Sequence, residues 1–455
     1  MFEHFEAAWN ELIAEGSGFA VSEIEVRGHP MRVFTAAPPT MRTVWELAQL
    51  HGDRPYLVCE DEHLTYAEVA AQVRALARYL RDAHGVGSGD RVAIAMRNYP
   101  EWVVAYWAVL SLGAAAVGMN AWWTSQEMAF GLGDSTPKVL IADDERVARV
   151  LPILDDLRAA SPLHLVSVRS DRDLPDGADR WADVVRADEA PDTLPDADID
   201  PDDDATIFYT SGPTGFPKGA QLTHRGSGHN LMNIAFMSTC SALAEQMAIE
   251  AGELPAPESV PPAATPPVFM APTPLFHVTA NNCVLHPGTR AGGKIVLMYR
   301  WDAARALELI ERERVTNFSG VPTMSREMLL HPDWMLRDTS SIKAMGGGGA
   351  PIQPDLFEKI DASLSKGAPS TGYGLTETHG IVTANSSKLY VAKPASCGRV
   401  VPTLEARLEN EFGEVLERGP DVIGELCVRG AIVIKGYLNR PEATAEAIRN
   451  GWFHT

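Results

Sequence analysis

Apolar positions along the chain recur with two periods, and the alternation of these periods is the first structural signal. Thr65 and Glu68 form a capping-box pattern, and Val69, Val73, Leu76 and Leu80 follow on one helical face. Gly85, Gly87 and Gly89 interrupt the pattern, which predicts a helix ending near Gly85. Residues 92–96 and 139–142 are short apolar runs of strand length. Between them, residues 102–124 are uncharged and long enough to raise the question of a membrane span. Gly113 divides this stretch. The part after Pro100-Glu101 reads as a helix about 20 Å long at ~1.5 Å per residue, too short for a bilayer core. The remainder, AAAVGMN, suits a buried strand. No membrane span is expected, and residues 40–190 read as layered α/β with parallel connections.

Further along, residues 192–204 (DTLPDADIDPDDD) are proline-broken and acidic, the composition of an exposed connector. A second α/β region is expected over 205–395. Within it, residues 252–267 (GELPAPESVPPAATPP) read as a surface insertion, because proline at that density suits neither sheet nor regular helix. Asp302 caps a predicted helix running through Arg314, and the GGGGAP run at 346–351 predicts a close-packed turn. Between 396 and 440 apolar and polar residues alternate between glycines, a pattern of hairpins and of a small barrel. No internal repeat or heptad seam is present.

Composition narrows the function classes. At 455 residues the chain is long enough for several units, and 45% hydrophobic with 22% charged residues is globular. Its net charge of −21 repels nucleic acid and anionic lipid, so a phosphate-bearing ligand needs a local positive site. The five cysteines are scattered and form no CxxC pair, which argues against a disulfide framework or a zinc site and for a reducing, cytoplasmic setting. The acidic start, MFEHFEAAWNEL, lacks the basic and apolar regions of a signal peptide.

Candidate chemistry centres on residues 209–219, Tyr-Thr-Ser-Gly-Pro-Thr-Gly-Phe-Pro-Lys-Gly. Glycines admit an anion close to the backbone, hydroxyls supply neutral donors, and Lys218 supplies a mobile charge. These are the parts of a polyphosphate cradle. A Walker loop is disfavoured, because Pro217 precedes Lys218 and Gly219 follows it.

Other motifs follow in order: Pro274-Leu275-Phe276-His277, Val321-Pro322-Thr323, Gly348-Gly349-Ala350-Pro351, Gly372-Tyr373-Gly374-Leu375-Thr376-Glu377-Thr378, Gly424-Glu425-Leu426 and Gly451-Trp452-Phe453-His454-Thr455. With the loop, they resemble the adenylate-forming superfamily of acyl- and aryl-CoA ligases, luciferases and peptide-synthetase adenylation domains. The likeness covers nearly the whole chain from about Thr40. It implies a layered αβαβα N-terminal domain of the acyl-CoA synthetase/luciferase type with a small β-barrel subdomain.

The resemblance also implies an activity. A carboxylic acid is activated by ATP as acyl-AMP with release of pyrophosphate, and then passes to CoA. A carrier protein or an amine stays open as the acceptor, as does a non-catalytic nucleotide- or acyl-binding module. ATP, Mg²⁺ and CoA are the implied cofactors, and a homodimer is one assembly left open.

Residue by residue, the resemblance assigns Thr210, Ser211, Gly212, Thr214, Gly215 and Lys218 to the β- and γ-phosphates. Tyr373 stacks on adenine, while Gly349, Ala350, Pro351 and Gly372 shape the nucleoside pocket. Thr376 touches the α-phosphate. Glu377 ligates Mg²⁺, with Thr210 as a second metal contact. Phe276, His277, Thr279 and Cys283 line the acyl pocket.

Two departures from the pattern matter. Pro213 stands where many relatives have Thr or Ser, and proline brings neither a hydroxyl nor an N–H. Losing one donor at a charged transition state can cost ~3–4 kcal/mol. His277 follows Phe276 where amino-acid-activating relatives place an aspartate, so a plain fatty, aryl or polycyclic acid is expected instead of an amino acid. The sequence stops in mid-motif at Thr455, where relatives continue with a Gly-Asp pair and a small C-terminal domain. This reads as a shortened or cleaved chain whose own adenylation is slow.

Overall fold

The helix Pro100–Ser111 is apolar on every face, and all its residues except Glu101 are buried. A helix of that kind belongs inside a core. It packs against Arg91–Ala95 and Ala115–Gly118 on one side and Pro55–Cys59 on the other, strands of two different sheets. The computed structural model describes residues 1–210, 217–255, 265–364 and 367–455. Among these, the first sheet runs Lys218–Thr223, Asp204–Thr210, Ala115–Gly118, Arg91–Ala95, Val139–Asp143, His164–Val168, Ala178–Arg180. Only the Asp204–Thr210/Lys218–Thr223 pair is antiparallel.

The second sheet runs Arg399–Val400, Thr383–Ser386, Ala368–Tyr373, Ala344–Gly347, Asn317–Gly320, Val268–Ala271, Lys294–Leu297, Pro55–Cys59, Glu62–Thr65. Its central strands are parallel, and both edges are antiparallel. The chain is therefore layered α/β, with helices between and outside two sheets.

Local signals explain the boundaries. Thr65 and Glu68 make the capping box of Tyr66–His84, and Gly85 closes that helix in the left-handed region at φ 58°. Gly113, at φ 73°, turns the chain from Pro100–Ser111 into the strand Ala115–Gly118. No described helix is long and apolar enough to cross a membrane. Asp302 accepts from the Arg305 N–H at the start of Ala303–Glu313.

A hydrogen-bonded aromatic group sits in the central layer. Trp45 and Trp107 stack with ring centroids 5.4 Å apart. The Trp107 Nε1–H donates to Tyr56 Oη at 3.1 Å, and Tyr56 Oη lies 2.7 Å from Thr289 Oγ1. Trp107 and Tyr56 thus bury their rings and keep partners for their polar tips, whereas the buried Trp45 Nε1 has none.

Three expectations change in detail. Gly346 and Gly347 do not turn; they end the strand Ala344–Gly347 between two parallel neighbours. A Cβ at Gly347 would lie 2.0 Å from the Gly320 carbonyl oxygen, so strand packing requires the bare backbone. Leu404–Glu409, Glu425–Gly430, Trp452–His454 and Ile448–Arg449 pair in that order as an antiparallel sheet whose first and last strands are not paired with each other, rather than as a closed barrel. The acidic connector at 192–204 is fastened, not free: Arg42 donates to the Pro195 carbonyl at 2.7 Å, and Leu194 is buried. Residues 256–264 of the Pro/Ala-rich insertion lie outside the described residues.

Burial of neutral histidines sets the acid stability. Burial lowers the pKa of His224 and His229 to about 4, and that of His286 and His379 to about 3. Their unfolded pKa is about 6.5, so the unfolded chain binds more protons below that value. Their contribution is complete above pH ~6.5 and falls as pH drops toward 4, by up to about 1.4 kcal/mol per pH unit for each histidine. The melting temperature is expected to fall steadily from pH 7 to pH 5, measured by thermal denaturation. A flat profile would show these sites are not buried as neutral imidazoles.

Candidate active site

Strand pairing sets the ends of the glycine-rich segment. Thr210 and Lys218 are direct partners across Asp204–Thr210 and Lys218–Thr223, so the two strand ends that flank the glycine-rich segment lie side by side. Ser211, Gly212, Pro213, Thr214 and Gly215 lie outside the described residues. Within the strand Asp204–Thr210, Tyr209 is anchored through its hydroxyl, which donates to Asp134 Oδ2 at 3.0 Å.

Asn98 joins the two sheets beside this point. Its amide donates to the carbonyls of Ala271 (3.2 Å) and Thr273 (2.9 Å), and its oxygen accepts from the Leu275 N–H (2.9 Å). The Pro-Leu-Phe-His segment is thereby fixed at the end of the strand Val268–Ala271. Its last residue, His277, caps the following turn: Nδ1 accepts from the Thr279 N–H at 3.2 Å. The ring opens toward the cavity, while the protein around it lowers its pKa by burial. His277 therefore presents a neutral imidazole.

The next residues, Asn281–Leu285, form a π-helical turn, a feature concentrated at functional sites. Asparagines lock it in place. Asn282 donates to the His379 carbonyl at 2.8 Å, and Asn230 accepts from the Ile381 N–H at 3.0 Å. A Cβ at Gly380 would meet Asn230 Oδ1 at 2.8 Å and Cys283 Sγ at 2.9 Å, so only glycine fits between them.

Thr376–Thr378 is a short 3₁₀ turn ended by His379 in the left-handed region at φ 57°. His379 is buried and bonded on both sides: Nε2 accepts from the Thr223 N–H at 2.9 Å, so Nδ1–H donates to the Ile432 carbonyl at 2.7 Å. Downstream, Lys435 and Leu438 donate backbone hydrogen bonds to the Gln221 and Gly219 carbonyls. That pairing brings Tyr437 into the site. Its hydroxyl donates to Glu377 Oε1 at 2.8 Å, and Lys218 Nζ lies 5.1 Å from its ring centroid. Burial, reinforced by Glu377, raises the Tyr437 pKa and keeps the phenol a donor.

A cavity of about 850 Å³ collects these groups. Thr210, Lys218, Phe276, His277, Thr279, Cys283, Gly349, Gly372, Tyr373, Thr376 and Glu377 all line it. Ala350 and Pro351, expected in the nucleoside pocket, are exposed and do not. The helix His224–Glu250 contributes Ile234, Met237, Ser238 and Ser241 to the wall, none of which the sequence singled out. Glu377 is the one carboxylate among the described lining residues.

The profile of the AMP-binding enzyme family matches residues 44–438. The chain belongs to this family. Feruloyl-CoA synthase of an Amycolatopsis species is 35% identical over 395 residues, covering 86% of this chain and 70% of that protein. Among solved structures, the N-terminal domain of FACL13 from Mycobacterium tuberculosis superposes with a TM-score of 0.74 at 27% identity, covering 91% of this chain and 95% of that one. The o-succinylbenzoate CoA synthetase of Bacillus subtilis, solved with its acyl-adenylate intermediate, gives 0.70 at 28% identity, covering 90% and 74%.

As a member, the chain is an AMP-forming acid–thiol ligase, a class that uses ATP, Mg²⁺ and CoA. The residues present suit the first two reactants. Glu377 offers a hard oxygen ligand to Mg²⁺, and Lys218 with the Thr210 hydroxyl offers charge and a donor to phosphate.

Sequence reasoning missed Tyr437, which lies 60 residues from Glu377. No local signal marked it, because its place depends on backbone pairing with the Lys218–Thr223 strand. Replacing Tyr437 by Phe removes one hydrogen bond to a charged group, a loss of ~1.5 kcal/mol. Mg-ATP affinity measured by calorimetry is expected to fall about tenfold with the fold intact. Unchanged affinity would remove Tyr437 from the nucleotide site.

Proposed function

We propose that this chain activates an aryl carboxylic acid without an amino group as its acyl-AMP, and that the activated acid passes to CoA. The observation that carries the reading is one cavity bounded by Lys218 and Glu377, Tyr373 and Thr376, and the neutral His277.

In this reading Thr210 and Lys218 hold the β- and γ-phosphates, joined by Ser211, Gly212, Thr214 and Gly215. Tyr373 stacks on adenine between Gly349 and Gly372, and Thr376 donates to the α-phosphate. The substrate carboxylate attacks the α-phosphorus: a new O–P bond forms, the bond to the β-phosphate bridging oxygen breaks, and pyrophosphate leaves with that electron pair. The acid oxygen thereby becomes part of a phosphate leaving group, ready for a thiol. Charge accumulates on phosphorus, so preorganised donors supply most of the acceleration and no protein nucleophile is required. Glu377 holds Mg²⁺, which neutralises phosphate charge when bound.

Two features support the acid class. A second carboxylate to pair with a substrate ammonium is absent from the described lining, and His277 is neutral. Apolar Ile234, Met237 and Phe276 suit a ring, while Ser238 and Ser241 offer hydroxyls to ring substituents. Feruloyl-CoA synthase, a relative over most of the chain, is named for an acid of this type.

ATP–pyrophosphate exchange across a panel of aryl, long-chain and amino acids tests the reading. Hydroxyaryl acids are expected to exceed amino acids by at least about a hundredfold in kcat/KM, the scale on which an unpaired buried charge is rejected. Glu377→Gln is expected to abolish Mg²⁺-dependent exchange while the circular dichroism spectrum stays unchanged. Preference for an amino acid, or wild-type exchange in Glu377→Gln, would contradict the assignment.

A further inference from the structure

At the N-terminal ends of the parallel strands of the first sheet lies a cluster that takes no part in the cavity above. His84 ends the helix Tyr66–His84, His164 begins the strand His164–Val168, and Asp179 lies on the neighbouring strand Ala178–Arg180. Their ligand atoms lie within 4.8 Å of one another. The two imidazoles are tilted against each other with centroids 4.1 Å apart.

All three converge on one phenol oxygen. Tyr79 Oη lies 2.9 Å from His84 Nε2 and 3.1 Å from His164 Nε2, and it donates to Asp179 Oδ2 at 2.5 Å. His164 Nε2 is also 3.0 Å from Asp179 Oδ2. His84 and His164 line a surface depression of about 480 Å³, which gives their side of the cluster access to solvent.

We propose that His84, His164 and Asp179, with Tyr79 as a neighbouring oxygen, form a binding site for a divalent transition-metal ion of the zinc type. Two imidazole nitrogens and a carboxylate oxygen are ligands these ions prefer, and hard Mg²⁺ does not. His84 sits at the C-terminal end of a 19-residue helix, where the backbone dipole favours positive charge.

The cations nearby are already engaged. Lys138 pairs with Asp90 and the Gly85 carbonyl, and Arg158 donates to the carbonyls of Leu163, Asp176 and Gly177. A bound ion would tie the end of the helix to two strands. Its role is then a clamp on the first sheet, away from the acyl-AMP chemistry.

Cobalt(II) titration of the chelator-treated chain, without nucleotide, tests this by visible absorption and calorimetry. One ion per chain is expected, with d–d bands but no thiolate charge-transfer band. His164→Ala and His84→Gln are each expected to weaken binding at least about tenfold. Zinc should raise the melting temperature of the wild type but not of His84→Gln, which keeps an amide for the Tyr79 hydroxyl. Glu377→Gln should bind cobalt as the wild type does. The assignment is overturned by an absence of stoichiometric binding, or by wild-type affinity in both histidine variants. A thiolate band lost in Cys427→Ser would also overturn it, placing the ion instead at Glu409, Cys427 and His454.

Discussion

A single neutral imidazole holds the catalytic side of this molecule together. His379 takes a hydrogen bond from the backbone of Thr223, in the edge strand of the first sheet, and gives one to the backbone of Ile432. Its own carbonyl accepts from Asn282 in the π-helical turn Asn281–Leu285. Three segments distant in sequence are thus fixed to one residue, two through its ring and one through its carbonyl. The ring fits only because residue 226 is glycine: a Cβ there would lie 2.3 Å from Nε2. Protonation would remove the acceptor that Thr223 needs, and burial with no countercharge opposes it.

From that junction the site assembles by backbone pairing. The Ile434 N–H donates to the Glu377 carbonyl, and the chain through Tyr437 runs beside the Lys218–Thr223 strand. Glu377, Tyr437 and Lys218 are brought into contact although they belong to separate motifs. The arrangement also answers the problem posed by a net charge of −21. An acidic protein attracts a polyphosphate only through a local cation and oriented donors. The strand pair places a hydroxyl and a cation of that kind, Thr210 and Lys218, side by side.

Much of this was legible in the sequence where the cause was local. The capping box at Thr65, the stop at Gly85 and Gly113, and the cap at Asp302 depend on neighbours within one turn, and the structure reproduces them. Of the candidate site residues that are described, all but Ala350 and Pro351 line one cavity. Ser211, Gly212, Thr214 and Gly215 lie outside the described residues, and the motifs at 321–323, 424–426 and 451–455 do not reach that cavity. What depended on distant pairing stayed hidden. Gly346 and Gly347 read as a turn because glycine runs mark turns, yet their bareness serves close packing within a parallel sheet. Tyr437, Asn98 and the wall residues of His224–Glu250 carry no local signature, since each acts on a partner far along the chain.

In the proposed function, nucleotide and acid occupy one continuous cavity, close enough to become a single molecule. A stable sulfamoyl analogue of an aryl-AMP tests it most directly, because it fills both halves at once. By calorimetry, the analogue should bind at least about a hundredfold tighter than AMP, with the aryl acid alone competing against it. Affinity no better than that of AMP, with no competition from the acid, would show that the acyl wall and the nucleotide site are not parts of one pocket.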